Sequence, residues 1–356
     1  MKKKIFIINK AQFGYHIDTY YYCKFLSDKF EVIYICFDEG KKKMILPEVK
    51  IIYSNYMNNY FIRALSFFYM IFKNYYRIKP NIVFIKYFLS SSFILTFIKR
   101  SKVVLDIRTG SVSNSIIKRK RKDKILKFEA SLFKNITVIS QGLKKRLKLK
   151  DTAKIIPLGA IKISKKEKSY KKIKLLYVGT FENRKIEITI KAVANFIQKV
   201  STEISYQIVG FGSKKDIELI RRTIKDNKLD SYVSYKGRVS IDLLKEYFDR
   251  NNVGIAYIPI TDYYAHQPPT KIFEYSMSGL ITIATKTKIN ETLITDENGI
   301  LCFDNAESLF EALREVYFNL PNYNFCKIVE SLEDYHWNNI VKNRLTPFLN
   351  SIAHAN

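Results

Sequence analysis

Short apolar runs alternate with helix-length stretches twice over along this chain, and that rhythm leaves few folds open. In residues 1–160 strand-like runs recur at 5–8, 32–37, 83–85, 103–105, 137–139 and 155–156, with helical patterns between most of them. This is the alternation of a parallel sheet covered on both faces. The second half repeats it at 174–178, 206–209, 233–235, 253–258 and 280–284. Two Rossmann-like α/β domains are expected. Residues 159–172 between them are polar, lysine-rich and aperiodic, as a linker would be.

A length of 356 residues is enough for roughly two domains with cores of their own. Hydrophobic residues at 47% and aromatics at 14% exclude a disordered or fibrous chain. Cys23, Cys36, Cys302 and Cys326 show no C-x-x-C spacing and no histidine at ligand spacing, so free thiols in a reducing compartment are expected, not zinc or a disulfide framework. The basic start Met1-Lys2-Lys3-Lys4 precedes an apolar run too short for a secretory signal, and it reads as the lead-in to a first buried strand. The longest mostly apolar runs, 64–72 and 87–98, are bounded by charges and fall well short of the roughly 20 residues of a spanning helix. The chain is expected not to cross a membrane.

The formal charge is +28, and it is unevenly distributed. Residues 1–160 hold 33 lysines and arginines against 10 acidic residues, whereas the remainder holds 28 against 23. The positive field therefore belongs to the first half. It favours phosphate-rich partners: an anionic bilayer, a lipid diphosphate or nucleic acid.

Locally the most informative segment is Pro268-Pro269-Thr270-Lys271-Ile272-Phe273-Glu274-Tyr275-Ser276-Met277-Ser278-Gly279. The double proline sets a helix start, Lys271 and Glu274 share one face, and Gly279 stops the helix before the apolar run 280–284. Loops at such helix N-termini bind phosphates and sugars in α/β folds. Taken alone, a surface ion pair explains Lys271 and Glu274 equally well. Glycines at strand ends point to the same edge of each sheet: Gly14 in the first half, Gly179 and Gly210 in the second. Gly179 is followed by Thr180-Phe181-Glu182-Asn183-Arg184-Lys185, which puts two cations at a helix start. Cations there oppose the helix dipole, so an anion such as a diphosphate would compensate them; a solvated basic turn is the alternative.

The order Gly179…Arg184-Lys185, Gly210-Phe211-Gly212, Gly237-Arg238-Val239, then Pro269-Thr270-Lys271-Ile272-Phe273-Glu274-Tyr275 with Gly279, resembles the second domain of GT-B glycosyltransferases of the family 4 type. Pro157-Leu158-Gly159 looks like that family's hinge-preceding motif, and Tyr335-His336-Trp337 like the start of its C-terminal crossover helix. The likeness covers most of residues 170–345 and only weakly residues 1–160. It implies an α/β GT-B fold, two facing Rossmann-like domains with a C-terminal crossover helix. Residues 1–160 would be the acceptor and membrane-facing domain, 161–335 the donor domain, and 336–356 the crossover helix.

By position, the resemblance gives the donor diphosphate to Lys185 and, where the loop brings it round, to Arg184. Glu274 would accept from the ribose hydroxyls, with Gly179, Gly210, Arg238, Thr270 and Lys271 around the donor. Gly14 would let the first loop approach the diphosphate and acceptor. Fixed guanidinium and ammonium groups can stabilise a departing nucleoside diphosphate without a metal. No D-x-D motif occurs, and neither a metal nor another cofactor is expected. The family reaction retains anomeric configuration by front-side attack, the leaving phosphate taking the acceptor proton, so no carboxylate nucleophile is required. Two positions depart from the family pattern: Thr180 stands where an arginine is usual, and His266 where a glutamate touches the donor sugar. The loop 261–269 would then offer Asp262, His266 and Gln267 to the sugar.

In the first half, Asp106 and Arg108 end a strand where the family places polar or catalytic residues. They are candidates for acceptor positioning or for contact with the donor sugar; a buried structural pair is the alternative. His16, near Gly14, reads as a helix-start residue. Residues 116–134 form a helical stretch in which Ile117, Ile125, Phe128 and Leu132 recur near helical spacing opposite crowded cations, the pattern of an interfacial helix. Lys144, Lys145, Arg146, Lys148 and Lys150 add a second basic cluster. Residues 57–76 carry too many aromatics for one helical stripe, which suggests a helix buried on most of its circumference, with contact to lipid as the alternative.

The function expected is a retaining, metal-independent hexosyl transfer from a nucleotide-sugar to a lipid-linked saccharide, for a cell-surface polysaccharide. It would take place at the inner face of the cytoplasmic membrane. A sugar-nucleotide epimerase of the same fold and a nucleic-acid-binding protein are the competing classes, and no recognition module is visible for the latter.

Overall fold

The computed structural model describes residues 2–55, 57–111, 115–261 and 269–354. It divides into two compact units, Met1–Leu158 with Trp337–Asn356, and Gly159–His336.

In the first unit seven parallel strands, β1 (Lys3–Ile8), β2 (Phe30–Asp38), β3 (Val49–Asn55), β4 (Ile82–Lys86), β5 (Val103–Ile107), β6 (Asn135–Val138) and β7 (Lys154–Ile155), lie in the order β3-β2-β1-β4-β5-β6-β7. Ile5, Phe6, Ile7 and Ile8 of β1 and all of β5 are buried, because helices cover both faces of the sheet. Those helices are α1 (Ile17–Leu26), α2 (Tyr60–Ile78), α3 (Ile116–Ser131) and α4 (Gln141–Arg146). Asn59, Ser115 and Ser140 accept from first-turn N–H groups and so fix where α2, α3 and α4 begin.

The aromatic helix α2 is not buried round most of its circumference. Phe67, Phe68 and Ile71 face inward, Phe67 lying 4.4 Å from the Phe37 ring. Phe61, Leu65, Tyr69, Phe72 and Tyr76 are exposed. Sequence patterning cannot tell which of two apolar faces meets the sheet. In α3, Leu126 and Ala130 are buried, and Glu129 accepts from the backbone N–H groups of Ser90 and Ser92 at 2.9 and 3.0 Å. Ile117 and Phe128 point outward.

The second unit holds six parallel strands, β8 (Ile173–Thr180), β9 (Ile204–Phe211), β10 (Val233–Gly237), β11 (Val253–Ala256), β12 (Ile281–Thr285) and β13 (Gly299–Cys302), in the order β10-β9-β8-β11-β12-β13. The helices are α5 (Ile186–Lys199), α6 (Lys214–Asp226), α7 (Ile241–Arg250), α8 (Thr270–Met277), α9 (Ala306–Asn319) and α10 (Phe325–Ser331). The lysine-rich stretch 159–172 has no helix, yet it is tied to this unit. Ser278 Oγ accepts from the Ile163 and Ser164 amides, Lys168 Nζ donates to the Phe248 carbonyl, and Tyr170 Oη donates to the Gly279 carbonyl at 2.7 Å.

The C-terminal segment runs through α11 (Trp337–Ile340), a π turn (Val341–Leu345) and α12 (Thr346–His354). It packs within the first unit, where Trp337 stacks on Tyr21 at 5.9 Å and meets the edge of Tyr22 at 5.6 Å. The wide turn immediately precedes the stretch holding Pro347, whose ring nitrogen cannot donate to the helix ladder.

Candidate active site

The second sheet opens where its strand order reverses. β8 pairs with β9 along its whole length, out to Thr180 and Phe211. It pairs with β11 only at Leu175 and Leu176. Past that point the Val178 N–H donates instead to the Tyr275 hydroxyl of α8, at 2.9 Å. A crevice therefore begins beside the carboxyl end of β8, the position at which open α/β sheets bind ligands. Two glycines make the geometry possible. A Cβ on Gly254 would lie 2.3 Å from the Tyr275 ring, so only a bare backbone lets α8 lie this close to β11. A Cβ on Gly210 would lie 1.9 Å from the Gly179 carbonyl oxygen, which shows how closely the two strand ends approach.

The resulting cavity has a volume of about 390 Å3. Its floor is strand-end backbone and apolar side chains, Val178, Gly179, Val209, Gly210, Ile255 and Ala256, with Val239 and Leu244 beside them. Polar groups converge from three directions: Arg184 from the loop after β8, Arg238 from the loop after β10, and Thr270 with Lys271 from the start of α8. The first N–H groups of a helix have no partner within it, so this end of α8 adds donors and a partial positive charge.

Asn183 and Lys185 both adopt left-handed backbone conformations, with φ of 57° and 52°, and the Arg184 N–H donates to the Phe181 carbonyl at 3.0 Å. That tight turn brings Arg184 round to the cavity. Lys185, next in sequence, is exposed and does not line it. The Arg238 guanidinium sits 4.8 Å over the Phe211 ring, which is 45% exposed at the cavity wall. Lys271 Nζ and Glu274 Oε2 form an ion pair at 2.6 Å, with both side chains half-buried. Glu274 reaches the cavity through Lys271. His266, Asp262 and Gln267 lie outside the described residues.

The first unit gathers charge at the corresponding reversal of its own sheet, between β1 and β4. Arg108 is buried and donates from Nε to Asp18 at 2.8 Å and from Nη1 to the Ile156 carbonyl at 2.8 Å. Asp106 is fully buried; its Oδ1 accepts from Thr137 at 2.7 Å and lies 3.8 Å from Arg108. Burial pushes the Asp106 carboxyl up to about 6, against the pull of Arg108 and of the Thr137 hydroxyl. Burial also holds His16 down to about 4 and Lys86 to about 8. Asp106 and Arg108 are 0% and 4% exposed. Through Asp18 and the carbonyls of residues 156–157, Arg108 ties the start of α1 to the end of the first unit's sheet. Gly14 has a φ of 89°, and a Cβ there would lie 2.2 Å from the Met44 sulfur.

Residues 172–319 match the family described as "Glycosyl transferases group 1". The fold is that of sucrose-phosphate synthase from Thermosynechococcus elongatus, at 16% identity over 100% of both chains with a TM-score of 0.77. It is equally that of Anabaena HepE solved in complex with UDP, at 12% identity over 98% of this chain and 100% of that one, TM-score 0.72. The chain has the GT-B fold, and its residues 172–319 match a glycosyltransferase family. The lipopolysaccharide outer core galactosyltransferase WaaB is a further neighbour, at 16% identity over 97% of this chain and 99% of that one, with a TM-score of 0.67. No curated protein matches the sequence.

Sequence reasoning passed over the polar residue Tyr257 at this cavity. Tyr257, just past β11, lines the cavity, and its buried hydroxyl has no hydrogen-bond partner among the described residues. A buried polar atom without a partner is rare in a folded core. The only signal for it was its place after an apolar strand, where its aromatic ring reads as core.

Proposed function

We propose that this chain is a glycosyltransferase, a retaining enzyme of the family 4 type. It moves a hexosyl group from a nucleoside diphosphate sugar, without a metal ion, to a lipid-linked saccharide in assembly of a cell-surface polysaccharide. The observation that carries the donor half is the cavity at the strand-order reversal of the second sheet, where Arg184, Arg238 and the start of α8 converge. Arg184 and the α8 N–H groups hold the diphosphate. The leaving group gains charge as the glycosidic bond breaks, and a guanidinium fixed in place stabilises it with no reorganisation. Glu274 takes the ribose hydroxyls, and Lys271, released from it, turns to phosphate or sugar. The leaving phosphate oxygen accepts the proton of the acceptor hydroxyl, so no carboxylate nucleophile is called for.

The UDP in the HepE complex makes uridine diphosphate the first probe. The acceptor half is supported by the cationic first unit and by the neighbour named as a lipopolysaccharide outer core galactosyltransferase, and on this reading the enzyme works at the inner face of the cytoplasmic membrane. Titration calorimetry of UDP against wild type and the Arg184→Ala, Lys185→Ala and Glu274→Ala variants tests the donor site. Loss of a charge-assisted hydrogen bond worth about 1.5–3 kcal/mol weakens binding roughly ten- to a hundredfold in Arg184→Ala, with smaller losses in Glu274→Ala, whose carboxylate must first leave Lys271, and in Lys185→Ala. Unchanged affinity in Arg184→Ala and Glu274→Ala would sink the assignment.

A further inference from the structure

The outward face of α2 is the largest unexplained feature of the first unit. Phe61, Leu65, Tyr69, Phe72 and Tyr76 are 76%, 67%, 64%, 43% and 52% exposed. At 100° per residue these five positions fall within an arc of about 80°. They form one stripe along a helix of 19 residues, and none of them serves the core. The stripe continues onto the neighbouring turn. Phe72 packs on Phe97 at 5.6 Å, Tyr76 Oη donates to the Phe97 carbonyl at 3.2 Å, and Phe93 and Leu89 beyond are half exposed. A continuous apolar face of this kind on a water-soluble surface marks an interaction site.

The charge around it says what the partner is. Between Glu48 and Asp106 the sequence has no acidic residue and nine lysines and arginines. Of these, Lys73 and Arg77 flank the stripe on α2, and Lys79, Lys99 and Arg100 are exposed just beyond it. Glu129 then fastens α3, with its outward Phe128 and its run of cations from Lys118 to Lys124, to the same turn. Two copies of this chain meeting through the stripe would bring like-charged rims together. A bilayer with anionic lipids offers the complement: headgroups for the cations, and an interface that favours aromatic rings. Among the described residues no helix is long and apolar enough to cross a membrane.

We infer that α2 lies in the surface of an anionic bilayer, with Phe61, Leu65, Tyr69, Phe72 and Tyr76 entering the headgroup boundary and the surrounding cations holding lipid phosphates. This rests on the reading of the first unit as the membrane-facing half and names the surface that does it. The α3 stripe is then an accessory electrostatic contact.

The test is co-sedimentation of the full chain with phosphatidylcholine vesicles, with and without phosphatidylglycerol. It compares wild type with a Phe61→Ser, Leu65→Ser, Tyr69→Ser triple variant. Wild type binds the anionic vesicles, and the triple variant binds them at least about tenfold more weakly, at low and at high salt. UDP affinity and thermal midpoint stay at wild-type values in the variant, which shows that the fold and the donor site are intact. Equal vesicle binding by the two proteins overturns the inference and leaves the membrane-facing reading standing. No vesicle binding by wild type overturns both. A concentration-dependent dimer that the triple variant abolishes, with no preference for anionic lipid, assigns the face to a second copy and also overturns it.

Discussion

Tyr275→Phe removes one oxygen atom from the hinge of the donor cavity. Tyr275 is fully buried, its ring packs 5.5 Å from Phe248, and its hydroxyl takes the Val178 N–H at the point where β8 leaves β11. Phenylalanine fills the same ring volume, so the cavity cost is small and the lost hydrogen bond dominates. The site is buried, and a buried amide left without a partner costs about 1–3 kcal/mol. In a unit of this size each kcal/mol moves the midpoint by about 2–4 °C, which places the expected fall between about 2 and 12 °C.

Scanning calorimetry of the full chain measures that fall, and amide exchange at Val178 localises it. The Val178 amide exchanges faster in the variant while amides of β12 and β13 keep their protection. UDP affinity falls as well, because Val178 and Gly179 line the cavity. Gly254→Ala attacks the same contact from the strand side, its Cβ meeting the Tyr275 ring. The two substitutions together cost less than the sum of their separate effects, since they damage one contact. A Tyr275→Phe variant with an unchanged midpoint and an equally protected Val178 amide would refute the claim that this hydroxyl holds the crevice in shape.

Two further substitutions separate ligand-facing from structural polar groups. Tyr257→Phe deletes a hydroxyl with no partner among the described residues, so it leaves stability equal or higher in calorimetry while weakening UDP or UDP-sugar binding; a destabilised variant with normal affinity contradicts the ligand role. Asp106→Asn reports on pH. The folded carboxyl titrates near 6 against an unfolded value of 3.8, so its stabilising contribution is fully present below 3.8 and lost as pH rises through 6. That difference is on the order of 3 kcal/mol, and Asp106→Asn flattens this part of the stability profile measured by denaturant titration at a series of pH values.

The central strands were legible because each is buried on both faces, which writes itself into the chain as an uninterrupted apolar run. The strands that escaped are β3 and β13, which close opposite edges of the two sheets. Val49–Asn55 is half-buried along most of its length, and Gly299–Cys302 is four residues long, so neither carries the apolar signature of an interior strand. Glycines and a proline-led helix were readable at the donor cavity because their backbone requirements are local. Three-dimensional matters were not: that left-handed residues on either side turn Arg184 and not Lys185 to the cavity, and that Asp106 and Arg108 lie inside the wall. The same limit hid the outer face of α2, since an aromatic helix with two apolar faces gives one pattern whichever face the sheet takes.

Charged groups at the cavity of the second unit are held by partners within the protein. Lys271 holds Glu274, and Arg238 lies on the Phe211 ring. On the proposed function, binding a nucleoside diphosphate is an exchange of partners, in which Glu274 gives up an ammonium for two hydroxyls and Lys271 takes a phosphate or sugar oxygen in return. The gain is the difference between two sets of charge-assisted contacts, smaller than a count of the final hydrogen bonds suggests. What distinguishes the complex is the charge that grows on the leaving diphosphate as the glycosidic bond breaks. Cations already satisfied in the ground state add little to donor affinity, yet they meet that growing charge without moving far, so the arrangement favours the transition state over the bound substrate.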